Sequence, residues 1–280
     1  MVANQAELGY SFPEILLDLA ERNSDLVVVS PGPDHGTRAF AGVFPDRYYR
    51  VAPADANLVA FAADLAARAL RPIVVGFPLS QAEILCGNPA PIILAASDSF
   101  RDVSMMRVIP DMTVVIPGDA CELHQALEQA LVQRGPIYIR VSAGTEPLRF
   151  KEEPPAFKIG KLRKLRDGFH VTIAVCGAAT GAAMEATSRL AIEGVSAELL
   201  EIPTIQPIDI DALIRSARKT RGVLTVEEHS VSGGLGSVVA ETLCRFFPTG
   251  MQMIAAEDGP VSAEKIAQSA RVMAMSLEFA

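Results

Sequence analysis

The chain has 280 residues, half of them hydrophobic, and carries 33 acidic against 25 basic side chains for a net charge of -8. That length and apolar content suffice for two domains with separate cores and exclude a disordered chain, and the acidic balance excludes a surface built to hold nucleic acid. No apolar run reaches the roughly 20 residues of a bilayer span, and the first residues lack a basic stretch followed by an apolar one, so a soluble, cytoplasmic protein is expected.

Residues 8–22 read as a helix beginning near Ser11, with Pro13 in the first turn, where its missing N–H costs little. A short apolar run after Asp25 reads as a strand covered on both faces, and it ends in a loop dense in Gly and Pro that contains His35. Residues 47–66 are the stretch around which the first half is organised. Asp55 and Asn57 stand at the mouth of a helix whose Leu58, Val59, Phe61, Ala62, Leu65 and Ala66 form an apolar stripe. From the residues alone, Asp55 either caps that helix or holds an acid at its positive end for chemistry.

Further strands follow at 72–76, ending in Gly76 and Phe77, and at 90–96, 112–117 and 136–141, with a helix over 119–132. Strands alternating with helices and carrying near-unbroken apolar runs indicate an α/β domain with a parallel sheet over residues 8–145. Residues 146–168 turn abruptly to Pro and charge and read as a linker, its basic run at 158–166 as a solvated connector. The alternation then resumes over residues 169–280 as a second, smaller α/β domain closed by a Met- and Ala-rich tail helix. Cys86, Cys121, Cys176 and Cys244 show no paired spacing, so buried free thiols are expected rather than disulfides or a zinc site. Of the four histidines, His35 and His229 sit in glycine-bearing loops where they could face a ligand or partner.

Several ordered segments resemble the transketolase family. Ala52-Pro53-Ala54-Asp55-Ala56-Asn57 is similar to the family's Gly, small, Ala-Glu-Gln-Asn motif, whose glutamate activates thiamine diphosphate. The segment 106–119 resembles the Arg-small-Ile-Pro-Asn stretch, and Gly135-Pro136-Ile137-Tyr138-Ile139-Arg140 the Gly-Pro-aromatic-Ile-Arg strand. Gln206-Pro207-Ile208-Asp209, and Glu227 through Gly236, resemble two motifs of the family's carboxyl-terminal domain. The resemblance implies a pyrimidine-type thiamine diphosphate-binding domain followed by a transketolase C-terminal-like domain. The half that binds diphosphate and Mg2+ is not matched here, so the resemblance implies a split enzyme in a heterotetramer. This chain would self-dimerise and work with a separate N-terminal diphosphate-binding subunit. Thiamine diphosphate would be shared, the metal would be bound by that subunit, and no metal ligand is assigned to this chain.

On that reading Asp55 stands for the activating glutamate, one methylene shorter and so short by roughly 1 to 1.5 Å, a displacement that matters to catalysis. Asp55, Asn57 and Phe77 would contact the cofactor, Phe77 by packing on the pyrimidine, although a phenylalanine at a strand end is equally a core residue. The family's long substrate segment is trimmed between Gln81 and Met105, leaving Asp98, Arg101 and Arg107 as candidate substrate contacts, with Asp102 and Arg140 near them in sequence. The implied activity is transfer of a two-carbon ketol or acyl unit. The alternative is a catalytically degenerate subunit that supports or regulates its partner, and an E1-type decarboxylase beta chain shares the architecture.

Overall fold

The computed structural model describes residues 11–34, 36–52, 57–87, 91–96, 100–141, 148, 155–256 and 261–278. The chain forms two α/β units, one comprising Met1–Asp98 and Met105–Pro147, the other Ser99–Ser104 and Leu148–Ala280. A short piece between two elements of the first unit therefore clusters with the second.

The first unit runs α1 (Phe12–Arg22), β1 (Leu26–Ser30), α2 (Arg38–Val43), β2 (Tyr48–Arg50), α3 (Leu58–Ala67), β3 (Arg71–Val75), a 3-10 helix at Leu79–Leu85 and β4 (Ile93–Ala96). It continues through α4 (Asp102–Arg107), whose first turn clusters with the second unit, then β5 (Thr113–Val115), α5 (Ala120–Val132) and β6 (Ile137–Arg140). Helix α1 starts where its sequence dictates. Ser11 is the cap and its backbone N–H donates to Glu14 Oε2 at 2.7 Å, satisfying a group that the helix leaves unpaired. Asp119 does the same for α5, accepting from Glu122 N at 2.8 Å.

The strands of this unit lie in the order β5-β6-β4-β3-β1-β2, all parallel. Val27, Val28, Ile73, Val74, Ile93 and Leu94 are buried, as a sheet covered on both faces requires. The three-residue β2 has no clear signal in the sequence, since its Tyr48, Tyr49 and Arg50 are half-buried or exposed. The chain leaves β1 toward β2 on one side and leaves β3 toward β4 on the other. The loops diverge there, so the carboxyl edge between β1 and β3 is the switch point at which open parallel sheets take ligands.

The second unit contains β7 (Arg163–Arg166), β8 (Val171–Val175), α6 (Ala179–Ile192), β9 (Ala197–Glu201), β10 (Thr204–Gln206) and α7 (Ile210–Thr220). It ends with β11 (Gly222–Glu227), α8 (Leu235–Phe246), β12 (Gly250–Ala255) and α9 (Ala263–Glu278). Its sheet has the order β12-β11-β8-β9-β7, parallel except for the edge strand β7. One face, with Val171, Ile173, Val175, Leu199, Leu224 and Val226, packs an apolar core against α6 and α9. On the other side Thr172 exchanges hydrogen bonds with Ser216 at 2.6 Å and Thr220 at 2.7 Å of α7, and Ser216 and Lys219 donate to Glu198.

The basic run expected as a solvated connector is corrected by β7. Strand β7 pairs antiparallel with β9, which buries Arg163 beside Glu201. The guanidinium Nε donates to Glu201 Oε2 at 2.8 Å, and Thr180 Oγ1 donates to the other carboxylate oxygen at 3.4 Å. A buried charge left without its partner is costly, whereas an apolar pair of similar volume is tolerated. Arg163→Met alone is therefore expected to cost about 3 to 5 kcal/mol. Arg163→Met with Glu201→Leu should recover most of that loss, read by urea unfolding of the two variants.

Candidate functional site

The β1/β3 switch point is built by residues at the carboxyl ends of its strands. Ser30, fully buried at the end of β1, donates to Gly32 O at 3.0 Å and shares a 2.6 Å hydrogen bond with the Tyr48 hydroxyl, tying the loop after β1 to β2. Arg50 Nε donates to Pro31 O at 3.3 Å and holds the same loop from the other side. After β3, Gly76 has φ +70 and sits so close to Pro31 that a Cβ would stand 3.3 Å from its Cδ. Only glycine allows both that backbone and that approach. Phe77 follows at once. It is 7% exposed, so it is held almost entirely inside the chain.

Helix α3 enters the same edge in an unusual way. Asn57, its N-cap, has φ 31 and ψ 42, a left-handed conformation uncommon outside glycine, and its side chain makes no capping bond. The donor expected to go to a cap goes elsewhere. Val59 N donates to Gln81 Oε1 at 3.4 Å, and Gln81 lies on the 3-10 helix that begins two residues after Phe77. The cap position is therefore Asn57, not Asp55. Asp55 itself lies outside the described residues, as do Asp98 and His35. Gln81 was not singled out from the sequence, because a bond spanning 22 positions leaves no local pattern.

Of the candidate substrate residues after β4, Arg101 immediately precedes α4 and Arg107 ends it. Arg101 is exposed and belongs to the second unit, whereas Arg107, half-buried at the end of α4, belongs to the first. Asp102 is buried and accepts from Val103 N at 2.7 Å, so it is not presented outward. Within the second unit Phe100 O accepts from Ser230 N at 3.2 Å and Ser104 Oγ donates to Ser232 O at 2.5 Å, fastening residues 100–104 to the turn after β11.

That turn also answers the sequence expectation for Glu227 through Gly236. Glu227 is fully buried and accepts from Leu235 N at 2.7 Å and Gly236 N at 2.8 Å, the first free donors of α8, and its Oε2 stands 2.7 Å from His229 Nδ1. The helix N-terminus is thus occupied by the chain's own carboxylate and is not open to an external anion. His229, 1% exposed, faces Glu227 and, at 3.6 Å, the Cys176 thiol, so it meets neither ligand nor partner. Gly234 is required, since a Cβ there would meet Glu227 Oε2 at 2.1 Å and Ser230 O at 2.3 Å. The expectation of buried thiols holds for Cys176 alone: Cys86 and Cys244 are exposed and Cys121 is intermediate, because they lie on outer helix and turn positions. Burial, then the Asp119 and Glu122 carboxylates, pushes the Cys121 thiol up. Among the described residues no three His, Cys, Asp or Glu side chains come together as a metal cage, and no helix is long and apolar enough to cross a membrane.

The pyrimidine-binding domain of transketolase matches residues 86–145 as a family model, and the transketolase C-terminal domain matches residues 160–274. The chain is 32% identical over 271 residues to the 6-deoxy-6-sulfo-D-fructose transketolase subunit SqwH of Clostridium sp. (strain MSTE9), covering 89% of this chain and 84% of that one. It is 29% identical over 266 residues to an apulose-4-phosphate transketolase subunit of Phocaeicola vulgatus, covering 87% and 85%. A solved structure of a split-gene transketolase, an inactive beta4 tetramer, superposes with a TM-score of 0.85 at 29% identity over 94% of this chain and 96% of that one. The chain belongs to the transketolase family, with the pyrimidine-binding and C-terminal domains as its two units.

Two outcomes test this geometry. Iodoacetamide at pH 8 should label Cys86 and Cys244 of the native chain rapidly and Cys176 only after unfolding, read by peptide mass spectrometry. Gly234→Ala should displace Glu227 from α8 and lower stability by about 2 to 4 kcal/mol, the range for unpairing buried donors and a charged acceptor, read by thermal unfolding.

Proposed function

We propose that this chain is the C-terminal subunit of a two-chain, thiamine diphosphate-dependent transketolase-like transferase, cytoplasmic, moving a two-carbon ketol or acyl unit. The observation that supports it most is the switch point between β1 and β3, the place where open α/β sheets take ligands. Phe77 follows β3 there, and the entry of α3 is tied by the Val59–Gln81 bond to the segment after Phe77. The relatives of similar length are themselves subunits of transketolases. Thiamine diphosphate, when bound, supplies the nucleophilic carbon that accepts and hands on the two-carbon unit. Asp55 would hold a hydrogen bond at the pyrimidine nitrogen, Asn57 would offer its exposed amide beside it, and the Phe77 edge would pack against the ring. The diphosphate and Mg2+ fall to a separate N-terminal subunit, and two copies of each chain would make a heterotetramer. Asp98, Arg101 and Arg107 remain the candidates for the substrate side, with Arg101 exposed and able to meet an anionic group.

A catalytically degenerate role is the second reading. It is favoured by the acid's shorter arm and by the burial of Phe77, which leaves little ring for a cofactor. The two readings separate on reconstitution with the diphosphate-binding chain. Asp55→Ala is expected to lower turnover at least about 100-fold, the scale for a misplaced acid–base group. Unchanged turnover in that variant would leave the degenerate role. Asp55→Glu reports whether the short arm is a handicap, which raises turnover, or is matched by an inward backbone, which lowers it. Calorimetry should find thiamine diphosphate binding to the pair and none to either chain alone.

A further inference from the structure

Among the described residues, helix α3 receives no side-chain cap from its own N-terminal segment. Its first backbone N–H groups have no intrahelical acceptor, its N-cap Asn57 contributes no capping bond, and Asn57 is held in a left-handed conformation that an L-residue adopts at some cost. Leu58 and Val59, the first two helical residues, are nonetheless fully buried. A buried helix start in a strained turn needs an outside anchor, and Gln81 supplies one by accepting from Val59 N at 3.4 Å.

The origin of Gln81 gives that bond its meaning. Gln81 N donates to Pro78 O at 2.9 Å, and Pro78 directly follows Phe77, so the amide and the aromatic ring are carried by one tight segment. That segment is itself fixed at both ends. Gly76 is wedged against Pro31, and Ala82 and Leu85 are fully buried where the 3-10 helix packs on α3. We infer that Gln81 is a positioning residue that locks the entry turn of α3 to the Phe77 segment. It thereby fixes the start of α3 relative to the segment that carries Phe77.

The inference rests on the reading of Asp55 as the cofactor's acid. An arm one methylene shorter has less freedom to compensate for a shifted backbone. A tie between helix entry and aromatic segment therefore matters more with Asp at position 55 than it would with Glu. Nothing passes through Gln81 chemically. It touches neither substrate nor cofactor in this scheme and acts through α3.

The test uses the full chain, alone and reconstituted with the diphosphate-binding chain, with Gln81→Met, which keeps length without an acceptor, and Gln81→Glu, which keeps the acceptor. In the chain alone, amide hydrogen exchange at 58–60 should speed up at least tenfold in Gln81→Met and stay near wild type in Gln81→Glu, with melting temperatures within a few degrees. In the pair, Gln81→Met should lower kcat at least tenfold with the KM for the sugar donor unchanged, and Gln81→Glu should restore it. Adding Gln81→Met to Asp55→Ala should cost nothing further, since a positioning residue has no effect once the group it positions is gone. Should Gln81→Met simply unfold, Gln81→Glu compared with Gln81→Lys decides by the same exchange and kcat readouts. A wild-type pair that binds thiamine diphosphate while Gln81→Met retains full kcat, or loses as much in the Asp55→Ala background, overturns the positioning role alone. A wild-type pair that takes up no thiamine diphosphate overturns the underlying reading and the role with it.

Discussion

The unpaired N–H groups at the start of a helix govern the architecture of both units. A helix that begins at the carboxyl edge of a parallel sheet points those donors at the place where ligands bind, and something must accept them. In α1 and α5 the acceptor is local, from Glu14 and Asp119. In α3 and α8 it is not. Asn57 and Gly234 make no capping bond, and acceptors arrive from other elements, Gln81 for α3 and Glu227 for α8. Each of these two helices is thereby fixed to a second element and not merely terminated.

The two solutions differ in what they leave open. Glu227 gives its two carboxyl oxygens to two α8 donors and closes that end, with His229 and Cys176 buried beside it. Gln81 is neutral and takes one α3 donor. The first arrangement takes two donors at the helix start and the second takes one.

Much of the architecture was legible because the physics behind it is local. Unbroken apolar runs such as the one after Asp25 mark strands covered on both sides, and Ser11 and Asp119 mark helix starts by residue type. Strand β7 was illegible for the opposite reason. Arg163-Lys164-Leu165-Arg166 reads as solvated charge, and only the pairing with Glu201, 38 positions away, turns it into buried structure. At the candidate site, residue types single out Asp55, Asn57 and Phe77, while the bond from Gln81 and the wedge of Gly76 on Pro31 depend on contacts distant in sequence. His229 shows the same limit, since a glycine-bearing loop is as apt to bury a histidine as to display one.

The edge strand β7 has a bearing on how such a chain survives. The outer rim of a sheet carries unpaired backbone groups that invite strands from other molecules. Here the rim is four residues long, is rich in Arg and Lys, and breaks register between Lys164 and Arg166. A short, charged, kinked border gives passing strands little to zip onto. Arg163 serves that border twice, by turning its charge inward onto Glu201 and by keeping the strand seated.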